Sequence, residues 1–309
     1  MIGTRGSALA LWQARHVAEL LRAAHDGLVV DERIVKTEGD LKPDSAVANL
    51  GERGVFVRRL EQSLLAGEVD LAVHSLKDMP TQQPSGLRIV AVTERHDPRD
   101  TLLSLDGWRL EELPPGTVVG TGSVRRRSQL LHVRPDIEVA PVRGNVDTRV
   151  RKLREGGLGG LVLAVAGVER LGITSVKHEP LGIETCLPAA GQGALALETR
   201  EDDGPTRELV ERLNHPQSLA AVKAERAFLR RLGGGCLAPA TAYARIEDSR
   251  LVAEGFVGDP DGRAVLLERE RGDPADAAVI GTRLAERLLV AGATKILQSP
   301  RPDPARGRD

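Results

Sequence analysis

The chain has 309 residues, enough for two or three domains that each bury a core. Phe, Trp and Tyr together make 2% of it and the formal net charge is −1, which argues against an aromatic base-stacking platform and a chain-wide basic footprint, so no nucleic-acid partner is expected. Two cysteines fifty positions apart and seven histidines without ligand spacing exclude a disulfide framework and a structural metal. Neither a signal peptide nor an apolar run of membrane-spanning length is present, so a soluble cytoplasmic protein without a membrane partner is expected.

Leu9, Trp12, Val17, Leu20 and Leu21 recur at helical spacing from Ser7, a natural N-cap, to Ala24. A strand over Leu28 to Lys36 follows, then a loop from Thr37 to Gly54 with little periodicity, long enough to be functional or disordered. Helix is predicted from Val55 to Ala66, strand from Val69 to His74, and strand from Leu87 to Thr93. The turn Arg95-His96-Asp97-Pro98-Arg99 is a candidate crossing between domains.

From Thr117 the pattern restarts. Gly3-Thr4-Arg5-Gly6-Ser7 before a helix is echoed by Gly120-Thr121-Gly122-Ser123, and the strand ending in Lys36 by Ile137 to Val142, which runs into Arg143-Gly144-Asn145. The buried strand Leu71 to Ser75 is echoed by Leu161 to Ala166. These echoes predict a duplicated α/β lobe, with ligands beyond the carboxyl ends of parallel strands and a cleft between the copies. Pro188 to Ala194 contains G-x-G-x-x-A but leads into a strand, Leu195 to Glu198, whereas a dinucleotide fingerprint opens a helix, so a return crossing is the better reading. Helices over Arg207 to Leu213 and Leu219 to Leu232 precede antiparallel strands Thr241 to Ile246, Leu251 to Val257 and Ala264 to Glu270, with Asp261-Gly262 as a hairpin turn. A helix from Ala275 to Ala291 closes a small α+β domain, and the Pro- and Arg-rich tail 299–309 is expected to be disordered. The expected organisation is lobe 1 over 1–95 plus 194–213, lobe 2 over 99–190, and a C-terminal domain over 216–298.

Several residues suit chemistry. His74-Ser75-Leu76-Lys77-Asp78 ends a buried strand; Asp78 reads either as a ligand-facing acid or as a turn aspartate beside Lys77, and His74 as a core histidine. Thr121, Ser123, Arg125 and Arg126 open a helix, with Arg143 and Arg149 further on and Arg5 and Ser7 at the matching place in lobe 1. Helix N-termini and guanidinium forks favour carboxylates or phosphates, so a ligand with several negative groups is expected. In Leu232-Gly233-Gly234-Gly235-Cys236-Leu237 the glycines either cap the preceding helix or present the thiol, and both readings stay open on local sequence.

The motifs TRGSALALWQA, GVFVRRLE, HSLKDMP, ERHDPRD, GTGSVRRR, RGNVDTR, LAVAGVERLG, LPAAGQGA and ERAFLRRLGGGCLAP occur together in this order. Their series resembles the porphobilinogen deaminase (hydroxymethylbilane synthase) family over nearly the whole chain. The resemblance implies two similar periplasmic-binding-protein-like α/β lobes plus a small α+β C-terminal domain. It implies a transferase of tetrapyrrole and haem biosynthesis that joins four porphobilinogen molecules head to tail and releases hydroxymethylbilane by hydrolysis. The cofactor it implies is a dipyrromethane held by a thioether to Cys236. Asp78 falls on the catalytic carboxylate; Cys236, Lys77, Asp78, Thr121, Ser123, Arg125, Arg126, Arg143 and Gly144 on cofactor-binding positions; and Arg5, Ser7, Arg149, Arg170 and Gln192 on substrate-binding positions. A monomer is implied, with hand-over of product to uroporphyrinogen-III synthase.

The chain departs from the family pattern at Asn49, where a basic residue is common, at Gly122, where serine is usual, and at Leu237, where a polar residue is frequent. The family carries a few more residues before the first strand, so Met1 reads as a shortened or misassigned start. Two rival readings from other classes are a two-lobed anion-binding receptor and a cysteine hydrolase using Cys236. Against the first stands the absence of a secretory signal; against the second, the lack of a histidine identifiably paired with the thiol.

Overall fold

The computed structural model describes residues 1–35, 52–233 and 238–298, with side chains omitted over 52–56. The expectations for Asn49, Cys236, Leu237, the tail 299–309 and most of the 37–54 loop lie outside the described residues. The chain divides into two compact units: one of Met1–Pro98, Ala166–Ile173 and Gly191–Ala220, the other of Arg99–Val165, Thr174–Ala190 and Ala221–Asp309.

The first unit is built on a sheet of β1 (Ile2–Thr4), β2 (Glu32–Ile34), β3 (Leu71–Ser75), β4 (Leu87–Val92) and a late arrival, β10 (Leu195–Arg200). The strand order is β2-β1-β3-β10-β4, with β1 parallel to both neighbours and β10 antiparallel to β3 and β4. Alternation along β3 sets its two faces. Leu71 and Val73 pack with Val17 and Leu21 of helix α1 (Ala8–Ala24), whereas Ala72 faces Leu60 and Leu64 of α2 (Glu52–Leu65). Each of these leucines and valines, taken out of water, contributes about 1.5–3 kcal/mol. Ser7 caps α1 as expected, its Oγ accepting from Ala10 N at 3.4 Å. The predicted strand 28–36 forms ladder pairs only over β2, whose residues are exposed, because an edge strand has one neighbour to fix it.

The second unit repeats the plan with β5 (Asp100–Ser104), β6 (Val118–Gly120), β7 (Glu138–Ala140), β8 (Gly160–Ala164) and β9 (Lys177–Pro180). Their order, β7-β6-β8-β5-β9, matches that of the first sheet position by position, and β5 is again the antiparallel member. The echoes in sequence are therefore echoes in topology: β1 and β6, β2 and β7, β3 and β8 occupy equivalent places. Sequence reading missed β5 and β9. Here β5 follows directly on the Arg95–Arg99 turn, and its apolar Thr101-Leu102-Leu103 run is the signal that could have found it.

Helices α3 (Val124–Val133), α4 (Val146–Arg154) and α5 (Val165–Arg170) follow β6, β7 and β8. Helix α6 (Gly204–Glu211) returns to the first unit, and α7 (Pro216–Leu232) leads to an antiparallel sheet of β11 (Ala240–Glu247), β12 (Arg250–Gly258) and β13 (Val265–Gly272). That sheet carries α8 (Ala277–Val290) and a short α9 (Ala293–Leu297) that lies beyond the helix end expected at Ala291. Asp261-Gly262 forms the expected β12–β13 turn, which docks on α3 through Arg127 Nη2 to Asp261 Oδ1 at 2.9 Å. No helix among the described residues is long and apolar enough to cross a membrane.

Candidate active site

In the first sheet the carboxyl ends of β1, β3 and β4 and the start of the antiparallel β10 share one edge, the place where α/β sheets bind ligands. Arg5 and Ser7 follow β1. Lys77 and Asp78 lie in the single 3-10 turn Leu76–Asp78 that ends β3, and Gln192 precedes β10. Arg5, Ser7, Lys77 and Asp78 are half-buried. Lys77 Nζ donates to Gln192 Oε1 at 3.2 Å, and Gln192 Nε2 donates to Pro98 O at 2.6 Å, so the lysine and the return crossing are tied together. Two supports escaped the sequence reading: Gln13 Nε2 donates to Ser75 Oγ at 2.8 Å, and Arg95 Nε to Gln192 O at 2.7 Å. Only the fold brings these residues together, and no spacing rule could have found them.

The glycine-rich stretch before β10 has a structural cause. Gly193 has φ +92°, and a Cβ there would lie 2.4 Å from His96 O, so the return crossing passes too close to the β4 exit for any side chain. The chain then enters β10 rather than a helix, in accord with rejection of the dinucleotide motif.

Behind Asp78, His74 is buried as expected, with Nε2 2.9 Å from Glu198 Oε2. Glu61 completes the group. Burial raises its pKa, the Glu198 charge raises it further, and His74 opposes them. The Arg58 charge also opposes the rise, and burial together with like-charge repulsion between the two carboxyls favours the neutral form of Glu61.

At the equivalent edge of the second sheet, Thr121 N donates to Ala140 O at 2.9 Å, and Ser123 caps α3 by accepting from Arg126 N at 3.5 Å. Arg143 and Gly144 are exposed after β7, and the half-buried Arg149 folds back, Nε donating to Gly144 O at 2.7 Å. Gly122, a departure from the family's serine, is accounted for: a Cβ at this position would stand 2.8 Å from Val142 O. The β7 exit runs against the β6 turn.

Arg125 and Arg126 point elsewhere than the exposed edge. Both are buried on Asp100, the first residue of β5, with Arg125 Nη1 to Oδ2 at 2.8 Å and Arg126 Nη2 to Oδ1 at 2.7 Å. Arg125 Nη1 also donates to Leu187 O at 2.6 Å, and Arg126 Nη1 to Val162 O at 3.1 Å. The Cys186 thiol donates to Asp100 Oδ2 at 3.3 Å. Burial by itself would raise the Asp100 pKa, but the two guanidiniums outweigh it and hold the carboxyl far below its usual range. Burial, seconded by the Asp100 charge, pushes the Cys186 thiol up to about 12, so it stays neutral. Two cations against one anion leave this cluster with one net positive charge, and Arg126 Nε is buried without an acceptor. Asp100 was not singled out from sequence, although an acid opening an apolar run is the visible signal.

Residues 1–208 match the family model described as porphobilinogen deaminase, dipyrromethane cofactor-binding domain, and residues 219–290 match that of the porphobilinogen deaminase C-terminal domain. The chain belongs to the porphobilinogen deaminase family. It is 47% identical to the porphobilinogen deaminase of Trichlorobacter lovleyi over 297 residues, covering 96% of this chain and 95% of that protein. The Moorella thermoacetica porphobilinogen deaminase is 48% identical over 297 residues, with the same coverage. Among solved structures, a probable amino-acid transporter binding protein of Bacillus subtilis overlays with TM-score 0.42 at 11% identity, covering 69% of this chain and 88% of that one. The second substrate-binding domain of Lactococcus lactis GlnP gives 0.41 at 11%, covering 75% and 89%. Both overlays are too loose to build on. Membership of the porphobilinogen deaminase family sets aside the receptor and the cysteine hydrolase.

The residues present fit the dipyrromethane group that this family model names. A group bearing several carboxylates needs fixed donors and excess positive charge. The second unit offers the Arg143 and Arg149 guanidiniums, the Ser123-capped start of α3, and the net cation of the Asp100 cluster behind them.

Proposed function

We propose that this chain is a hydroxymethylbilane synthase: it deaminates four porphobilinogen molecules, joins them head to tail on a dipyrromethane primer tethered by a thioether to Cys236, and releases hydroxymethylbilane by hydrolysis. The observation that carries the reading is the carboxyl edge of the first sheet. There one half-buried acid, Asp78, ends a buried strand beside Lys77, with Arg5 and Ser7 on the adjoining turn.

The dipyrromethane, when bound, supplies the free pyrrole α-carbon at which a new carbon–carbon bond forms. Asp78 faces the pyrrole of the incoming porphobilinogen. As the aminomethyl C–N bond breaks and the electron pair leaves with ammonia, positive charge spreads over the ring, and a partly desolvated carboxylate stabilises it more than water does. Arg5, Ser7, Arg149, Arg170 and Gln192 hold the acetate and propionate groups of the substrate. Lys77, Thr121, Ser123, Arg143 and Gly144 hold those of the primer. Arg125 and Arg126 contribute to the primer through the excess charge of their cluster, since both side chains are buried, with Arg125 Nη1 and both Arg126 Nη groups engaged by Asp100 and main-chain carbonyls. Each added pyrrole brings two carboxylates, which explains local arginine excess in a chain of net charge −1. Lobes over 1–95 plus 194–213 and 99–190, a cofactor-anchoring domain over 216–298, a cytoplasmic monomer and hand-over of product to uroporphyrinogen-III synthase belong to the same reading.

Intact mass of the purified protein tests it. The expected result is an added mass of two linked pyrroles, absent from Cys236→Ala. Unmodified protein with full activity would overturn the tether.

A further inference from the structure

Arg170 ends α5 in an unusual setting for a half-buried cation. Its Nη2 donates to Gly193 O at 2.7 Å, and Nε is buried without an acceptor. Among the described residues no carboxylate forms an ion pair with it; the adjacent Glu169 is turned to His96, with Nε2–Oε2 3.3 Å. Burial without a counter-charge pulls the guanidinium down to about 10. What it does have is an aromatic face, because its central carbon lies 5.3 Å from the centre of the Trp12 ring.

Trp12 stands on α1 and stacks on His16 one turn later, with ring centres 4.9 Å apart and planes 19° from parallel. Burial, and then the Arg170 charge, lower the His16 pKa, with His96 acting the same way and Glu19 against, so the imidazole is uncharged at neutral pH. These side chains line a cavity of 470 Å³ with Thr93, Glu94 and Arg95.

We propose that Trp12 is a positioning residue for substrate binding: its indole face holds the Arg170 guanidinium in place without neutralising it, and thereby sets affinity for a pyrrole carboxylate. The inference rests on the assignment of Arg170 to substrate above. An acid in the place of Trp12 would orient the arginine equally well but would compete with the substrate carboxylate for its charge. A ring quadrupole attracts the cation through its face and leaves the full charge, and the in-plane N–H groups that Gly193 O does not take, for a ligand. The neutral His16 extends the shelf without adding a second cation.

The test is a double-mutant cycle in the cofactor-loaded enzyme, reading KM and kcat for porphobilinogen and the thermal midpoint. Trp12→Leu is expected to raise KM about fivefold to tenfold with kcat within about twofold, whereas Trp12→Phe, which keeps a ring face, stays within about twofold of wild type. Trp12→Met supplies bulk without a ring and should follow Trp12→Leu. In an Arg170→Gln background Trp12→Leu should add nothing further. An equal KM increase in both backgrounds, or none in either, would overturn the positioning role. Unchanged KM in Arg170→Gln alone would strike the assignment of Arg170 to substrate, and the proposal would fall with it.

Discussion

Replacing Asp78 by Asn is expected to lower kcat by about 10²–10³ while changing the KM for porphobilinogen by only a few fold, the scale of losing one preorganised electrostatic partner. Asn keeps the size of the side chain and its place in the Leu76–Asp78 turn, so the neighbouring contact of Lys77 with Gln192 persists. What disappears, in the proposed mechanism, is the negative charge opposite a cation that forms only as ammonia leaves. The arginines and hydroxyls proposed to hold carboxylates are untouched, and ground-state binding is the task proposed for them. In the proposed mechanism the primer is assembled from substrate by the same bond-forming chemistry, so freshly expressed Asp78→Asn protein should also be under-loaded with dipyrromethane. Loading is therefore measured by intact mass first, and turnover is then compared per loaded molecule. Turnover within a few fold of wild type would move the carboxylate role to another residue.

Asp100→Asn is expected to cost about 3–5 kcal/mol of stability at neutral pH, because it leaves two buried guanidiniums facing a neutral amide. For a chain this long that corresponds to a fall on the order of 10 °C in the thermal midpoint. The pH dependence has a definite sign. The Asp100 pKa is depressed on folding, so the stability it contributes is complete above its unfolded value near 3.9 and is lost as pH falls below it. Urea unfolding at pH 7 should therefore show the full difference between variant and wild type, and the gap should narrow at pH 3. A constant gap would mean that Asp100 acts by shape rather than charge. The same substitution tests how far the cationic background of the second unit depends on this cluster, since the net charge there would rise by one.

Both residues show where sequence and fold divide the information. Asp78 was legible because the apolar run Leu71-Ala72-Val73 marks a buried strand, and the polar pair Lys77-Asp78 follows directly where that strand ends. The duplicated lobe was legible for a related reason: a glycine-rich turn before a helix, a short strand, then a buried strand recur in the same order, and local sequence dictates each of these units. Ser7 and Ser123 as N-caps and Asp261-Gly262 as a hairpin turn are likewise settled within four residues of chain.

The partners of the arginines could not be read that way. Arg125 and Arg126 looked like donors aimed outward from a helix start, and position in sequence cannot tell an outward guanidinium from one turned into the core. Their acid lies 25 and 26 positions earlier on β5, a strand inserted antiparallel into the sheet, and burial among β5, β8 and the Leu187 carbonyl decides the outcome. Among the described residues Arg170 has no ion-paired acid and rests instead on Trp12, 158 positions away. The sequence by itself determined the family, the repeated α/β plan and the acid at the end of β3, because strands, turns and caps obey short-range rules. Tertiary structure alone decided which arginines are paired with an acid inside a unit and which rest on a ring instead, because that depends on which distant carboxylate or ring the fold brings within a few ångströms.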